Sequence, residues 1–368
     1  MATTPFNRFK APDALRGLIM VFMALDHASQ FVAQKHSSGE YWGGEFPQYH
    51  DALAFLTRWI THLAAPGFFF LMGLGMWLFA RSRHAKGWEN WQIIGHFVIR
   101  GALLIMLQIT LINRAWELSP GGWVLEGYAG VLFALGANMI ILSLLTIGNT
   151  QLLLPLTILF LFTNGFIPPD PSEWGVEVST VQQLFTTPGG DLTLWVNYPI
   201  SPWMPLTTLG MLFGHWLSTD QEKTYQRALQ IGAAFLLAFL ITRPLGNFWN
   251  IRPLPTENWI DFLNVVKYPP SLTFIFMTMG INLLLLWVFS KLGKALDPLT
   301  VFGRTPLFFY IAHLYLYAAL GIWLTPDGMS LAKMYPYWLL GLIVLYPLCL
   351  GYAWLKKQDA LKFVLQFF

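Results

Sequence analysis

The sequence predicts an all-α protein, a polytopic membrane helix bundle of about ten transmembrane helices with both termini on the cytoplasmic side. Three observations carry that expectation. Apolar residues make up 55% of the 368-residue chain and charged residues only 11%, with a mean hydropathy of +0.51, whereas soluble domains carry about 25% charged residues. Runs of about 20 mostly apolar residues, the length a spanning helix needs, recur from end to end. Lys and Arg concentrate in alternate connections, which orients the runs. The net charge of +3 gives nucleic acid no purchase. The single cysteine, Cys349, excludes an internal disulfide and a multi-thiolate metal site and reads as core packing. No metal is expected, and the chain 1–368 reads as one domain.

The first run, 13–34, opens DALRGLIMVFMALDHASQFV and reads as a membrane helix rather than a cleaved leader. Asp13 and Arg16 stand at one end, Asp26 and His27 at the other. Each charge held near hydrocarbon costs at least about 2.5 kcal/mol, so the four suggest more than an anchor. A carboxylate near an imidazole suits a general base; the alternative is a helix end wetted by the interface. In the second run, 57–80, Arg58 and His62 are four apart and share a face. Pro66 frees a backbone carbonyl and can kink this helix beside a cavity.

The third run, 92–113, closes on Asn113 and Arg114. The fourth and fifth, 123–146 and 150–166, form a tight hairpin across IGNT. Tyr198, Ser201 and Trp203 open the sixth, 199–218, in which Gly210-x-x-x-Gly214 reads as a close helix contact. Arg243 ends the seventh, 226–245, and Asn264, Lys267 and Tyr268 lead into the eighth, 269–290. The ninth and tenth are 300–322 and 335–356, with His313 at mid-depth in the ninth.

Arg81, Arg83 and Lys86, Lys223 and Arg227, Lys291 and Lys294, and Lys356 and Lys357 mark the cytoplasmic side. The long alternate connections 35–56, 167–198 and 246–268 are richer in acid and should lie outside. Polar groups from separate segments then meet at one outer level: Asp26, His27, Arg58, His62, Arg114, Asn264, Lys267 and Tyr268. His36 and His50 lie in the first outer loop and could approach the same mouth, although a loop histidine is more often solvated. At the inner face, Arg16, Arg100 and Arg304 could grip phosphates or be ordinary positive-inside charge. His313 fits either a satisfied core position or a substrate tunnel.

DALRGLIMVFMALDH resembles the opening signature of bacterial membrane proteins related to the catalytic domain of heparan-α-glucosaminide N-acetyltransferase. TRWITHLAAPGFFFLMG, NYPISPWMPLTTLGMLFG, FLNVVKYPPSLTFIFMTMG and VFGRTPLFFYIAHLYLY continue it in order. The resemblance implies a transmembrane acyltransferase in the bacterial inner membrane. It would take acetyl-CoA or another acyl-CoA from the cytosol and acylate an extracytoplasmic glycan or other amine or hydroxyl acceptor. In the characterised branch a luminal histidine, in the loop before the block matching AAPGFFFLMG, serves as acceptor or base; His50 is nearest by spacing. The bacterial relatives share instead the pairs Asp26-His27 and Thr61-His62. His27, His62 and Asp26 are therefore the expected catalytic groups. Arg58, Arg114, Asn264, Lys267, Tyr268 and His50 are the expected acceptor contacts, and Arg16, Arg304 and His313 the donor contacts. Arg58 or Lys267 would stabilise the oxyanion. The expected partners are these substrates, the bilayer and, as a homodimer, a second copy. A small-anion transporter is the rival function, weakened because no repeat symmetry is visible. A non-catalytic scaffold would leave the buried charges without a reason.

Overall fold

A computed structural model describes residues 9–37, 39–49, 51–120, 122–246, 249–255 and 258–358. Helices fall within each of the ten runs. Six stretches are long and apolar enough to cross a membrane: Ala52–His84, Asn90–Glu117, Gln221–Leu245, Leu272–Gly303, Pro306–Leu324 and Leu331–Leu355. Val131–Thr146 and Thr150–Thr163 are apolar but shorter. α1 (Lys10–Ala28) is a continuous helix whose apolar run is interrupted by Asp13, Arg16, Asp26 and His27, and α9 (Met204–Thr219) has only 16 residues. Among the described residues, six of the ten expected spans thus meet the length and composition of a membrane-crossing helix.

Local sequence explains where the limits move. The second run is two helices, α2 (Ala52–Thr61) and α3 (Ala64–His84), interrupted at His62–Leu63. Pro66 has no N–H to offer the carbonyl four residues back. The neighbouring Leu63 carbonyl accepts from Asn282 Nδ2 at 3.1 Å, on α12 (Leu272–Leu292). Residues 123–130, expected as helix, are not helical. Tyr128–Ala129 (β1) pairs in parallel with Trp195–Val196 (β3), which pairs antiparallel with Gly189–Gly190 (β2). Gly122, Gly127 and Gly130 disfavour helix there, and α6 starts only at Val131 (Val131–Leu142). The ninth run is also shorter than expected. α13 (Asp297–Gly303) takes its first four residues, and α14 (Pro306–Leu324) begins with proline in its first turn.

Small residues set the spacing of the bundle. A Cβ on Gly210 would lie 1.9 Å from the Phe70 carbonyl oxygen, and one on Gly73 1.9 Å from that of Thr207. α3 and α9 therefore touch backbone to backbone, as the GxxxG spacing predicts. At the His27 end, the loop after α1 folds over the bundle. The amides of Lys267 and Tyr268 both donate to the Glu40 carbonyl at 3.0 Å, and the Trp42 amide donates to that of Tyr268 at 2.7 Å. Arg243 pins the same region from below. It donates to the carbonyls of Asp261, Phe262 and Asn264 and to Asn250 Oδ1, at 2.7–2.9 Å.

Candidate functional site

α1, α2 and the loop between them bring five charged or titratable groups, Asp26, His36, Glu40, Arg58 and His62, into direct contact. Asp26 Oδ1 accepts from Arg58 Nη1 at 2.7 Å and from Thr61 Oγ1 at 2.8 Å. His36 Nε2 lies 3.2 Å from Asp26 Oδ2. Arg58 Nε and Nη2 each donate at 2.8 Å to the two oxygens of Glu40. His62 Nε2 faces Glu40 Oε1 at 3.3 Å. Arg58 is thus a fork between two carboxylates, the bidentate geometry that makes guanidinium pairs strong. Glu40 is 0% exposed. Burial alone would raise its carboxyl, but the Arg58 guanidinium and the His62 contact override that and hold it well below the usual carboxylate range.

Beside this network lies a cavity of about 450 Å³. Asp26, His27, His36 and Lys267 give it polar patches, and Trp116, Tyr128, Trp195, Tyr198 and Tyr268 supply aromatic walls. Lys267 is 3% exposed, and its ammonium sits 5.0 Å above the Tyr268 ring. No carboxylate lies within ion-pair distance of it among the described residues. His27 Nδ1 is 2.6 Å from His313 Nε2, and His313 Nδ1 is 2.9 Å from the Phe309 carbonyl oxygen. Nearer the other end of the bundle is a second cavity of about 290 Å³. Its walls are mostly apolar, including Leu71, Met72, Met76, Leu135 and Met139, but Arg16, His96 and Arg100 also line it. Arg100 Nε is buried there without a hydrogen bond. Phe68 and Tyr310 belong to the walls of both cavities.

Of the residues expected in the site, Asp26, His27, Lys267 and Tyr268 reach the first cavity and Arg16 the second. Arg58 and His62 stand behind the cavity, held by Glu40. Asn264 turns away: its Nδ2 donates to the Pro47 carbonyl at 3.0 Å and ties the loop down. Arg114 does not join at all. Its side chain is 65% exposed and holds Glu117, one turn on, at 2.6 Å. Arg304 lines neither cavity; it is half exposed, 3.6 Å from Asp13. His313, expected on the donor side, is fully buried against His27 because α14 packs on α1. His50 lies outside the described residues.

Four contributors escaped the sequence reading. Glu40 looked like one of many loop acids, and His36 like a solvated histidine. The signal for Glu40 was indirect: a buried arginine on α2 has five N–H donors to satisfy, more than Asp26 alone can accept, and the adjoining loop is where a further acceptor could come from. Phe68 and Tyr310 gave no signal, since aromatic residues in apolar helices are the rule.

The model of the family described as heparan-alpha-glucosaminide N-acetyltransferase, catalytic, matches residues 8–249. The chain belongs to this family. Among curated proteins, heparan-alpha-glucosaminide N-acetyltransferase of Mus musculus is 29% identical over 139 residues, 38% of this chain and 19% of that protein. The protein of the same name from Homo sapiens is 25% identical over 138 residues, with the same shares. The matched part is about a fifth of the length of these relatives. The heparan-alpha-glucosaminide N-acetyltransferase family match takes in Asp26, His27, Glu40, Arg58 and His62 and stops short of Lys267 and His313. Together with the six apolar helices, it makes this chain an integral membrane protein of a transmembrane acetyltransferase family.

Proposed function

We propose that the protein transfers an acetyl or short acyl group from acyl-CoA, bound in the cavity lined by Arg16 and Arg100, to an amino sugar or related envelope acceptor in the aromatic-walled cavity. The carrying observation is the pair of cavities that share Phe68 and Tyr310 as lining residues, with His27 on the wall of the aromatic one. In this reading the termini and the Arg16 end face the cytoplasm of a bacterial inner membrane, and the His27 end faces outward. A donor site with two guanidiniums and a long apolar wall suits a substrate with phosphates at one end and a slender, weakly polar arm. Between Phe79 and Phe68, both lining residues on α3, a helix rises about 16 Å. Aromatic faces suit the apolar faces of a sugar ring.

The chemistry follows from atom placement. The acceptor nitrogen or oxygen attacks the thioester carbonyl, and its proton passes to His27. The C–S bond breaks, and the imidazolium returns the proton to the departing thiolate. The Lys267 ammonium, with no carboxylate at ion-pair distance among the described residues, compensates the oxyanion in between. Arg58 is less suited to that task, since both its edges are occupied by carboxylates. His27 is favoured over His62 as the base because it lines the cavity, whereas His62 Nδ1 is buried without a partner.

The test is direct. Purified full-length protein with acetyl-CoA and glucosamine should release CoA and form an N-acetylated sugar. His27→Ala should lower kcat by about 10²-fold or more, the range of general base catalysis. Anion flux into liposomes without CoA release would favour a transporter instead.

A further inference from the structure

We propose that His313 is a positioning residue that fixes the tautomer of His27, so that the lone pair of His27 Nε2 faces the acceptor cavity. The inference rests on the reading of His27 as the base, but its geometry stands apart from that reading.

It follows from donor accounting. The Phe309 oxygen is a carbonyl and can only accept, so the proton in the 2.9 Å contact belongs to His313 Nδ1. A neutral imidazole with hydrogen on Nδ1 offers a lone pair at Nε2. The partner at 2.6 Å, His27 Nδ1, is therefore the donor in that contact. His27 is left with hydrogen on Nδ1 and an unprotonated Nε2. His27 lines the cavity, and its Nε2 has no hydrogen-bond partner among the described residues. A backbone carbonyl on α14 thus sets the protonation pattern of a ring on α1 through one intervening imidazole.

The surroundings keep the arrangement from turning over. His313 is 0% exposed, and its ring stacks on Phe309 at 5.4 Å and meets the edges of Tyr310 and Tyr317. A flipped His313 would point its carbon edge at the carbonyl and forfeit both bonds. His27 is held by its hydrogen-bonded partner His313, ring centroids 4.8 Å apart and planes 29° apart, and by Trp116 edge-on at 5.4 Å. Asp26, the neighbour in sequence, does not hold the His27 ring; its oxygens serve Arg58, Thr61 and His36. The role a carboxylate commonly plays toward a catalytic histidine falls here to a neutral histidine. The uncharged partner adds no further negative charge to an interior that already holds Asp26 and Glu40.

The experiment has an arm that needs no turnover. Full-length protein carrying ¹⁵N-labelled histidine, with the His27 signals assigned by difference against His27→Asn, should show His27 protonated at Nδ1 and bare at Nε2. His313→Phe should shift His27 toward the Nε2-protonated form that free imidazoles prefer. His313→Gln, whose side-chain oxygen can still accept from His27 Nδ1, should keep the wild-type pattern. In the acetyl-CoA and glucosamine assay, His313→Phe should lower kcat about 10²-fold with the KM for acetyl-CoA unchanged, and His313→Gln should recover most of the loss. A wild-type His27 protonated at Nε2, or a His313→Phe protein with the His27 tautomer unchanged, overturns the proposal. If the tautomer responds as stated but His27→Ala leaves transfer intact, it is the assignment of the base that fails. The wild-type spectrum decides even if His313→Phe does not fold.

Discussion

At the scale of single residues, the chemistry divides between a buried network and one ring left facing a cavity. Asp26, Arg58, Glu40 and His62 hold one another, with His62 Nδ1 buried unpartnered; among the described residues, His27 is the expected catalytic group that keeps a ring nitrogen free on a cavity wall. Removing one member of a buried ion pair costs about 3–5 kcal/mol because the other is stranded. Glu40→Ala should therefore lower stability by about 3 kcal/mol, the low end, since Asp26 still compensates Arg58. Thermal unfolding in detergent measures it. The pH dependence has a definite sign. The Glu40 carboxyl is held well below its ordinary value in the folded state. Its contribution is complete above the free-glutamate pKa of about 4.3 and is lost as pH falls through the lower folded value. The difference in melting temperature between wild type and Glu40→Gln should narrow on acidification below about pH 4.

At the scale of elements, backbone contacts aim these side chains. The α2–α3 interruption at His62–Leu63 lets Arg58 and His62 turn toward the loop carrying Glu40. Arg243 and the Glu40 carbonyl fix the segment that presents Lys267. Arg243→Met should loosen that segment, and the account predicts a raised KM for the acceptor with the KM for acetyl-CoA little changed, read by steady-state kinetics. Gly210→Leu attacks the scaffold instead. Its side chain cannot share space with the Phe70 carbonyl 1.9 Å from its first carbon, so it should cost about 1–3 kcal/mol or more as overpacking, visible as a lower melting temperature. Much at this scale was legible in the sequence. Apolar run length located the helices, Pro66 marked the break, and Gly210 and Gly214 marked the tight crossing. Residues 123–130 were not, because Trp123, Val124 and Leu125 read as helix by hydropathy, while the glycines and a distant strand, Trp195–Val196, decide otherwise.

At the scale of the whole molecule, the two ends of α1 belong to different cavities: Arg16 lines one and Asp26 and His27 the other. Phe68 and Tyr310 line both cavities, so under the proposed function they are the side chains an acyl group would pass between on its way from donor to acceptor. Phe68→Ala should widen that passage and raise kcat/KM for butyryl-CoA relative to acetyl-CoA, a ratio that competition assays report directly. The sequence reading placed His27 and Lys267 at one level from hydropathy and charge alone. It missed that Arg114 faces outward to Glu117 and that His313 serves His27, because helix rotation and partner choice are settled by packing between distant segments.

The central claim is that a donor from the Arg16 side and an acceptor on the His27 side react across the bundle through His27. Sealed proteoliposomes with glucosamine trapped inside and radiolabelled acetyl-CoA added outside test it most directly, using protein whose Arg16 end faces outward. The account predicts labelled N-acetylglucosamine in the lumen with wild-type protein and none above background with His27→Ala. Label confined to the outside, or the same luminal product from His27→Ala, would contradict it.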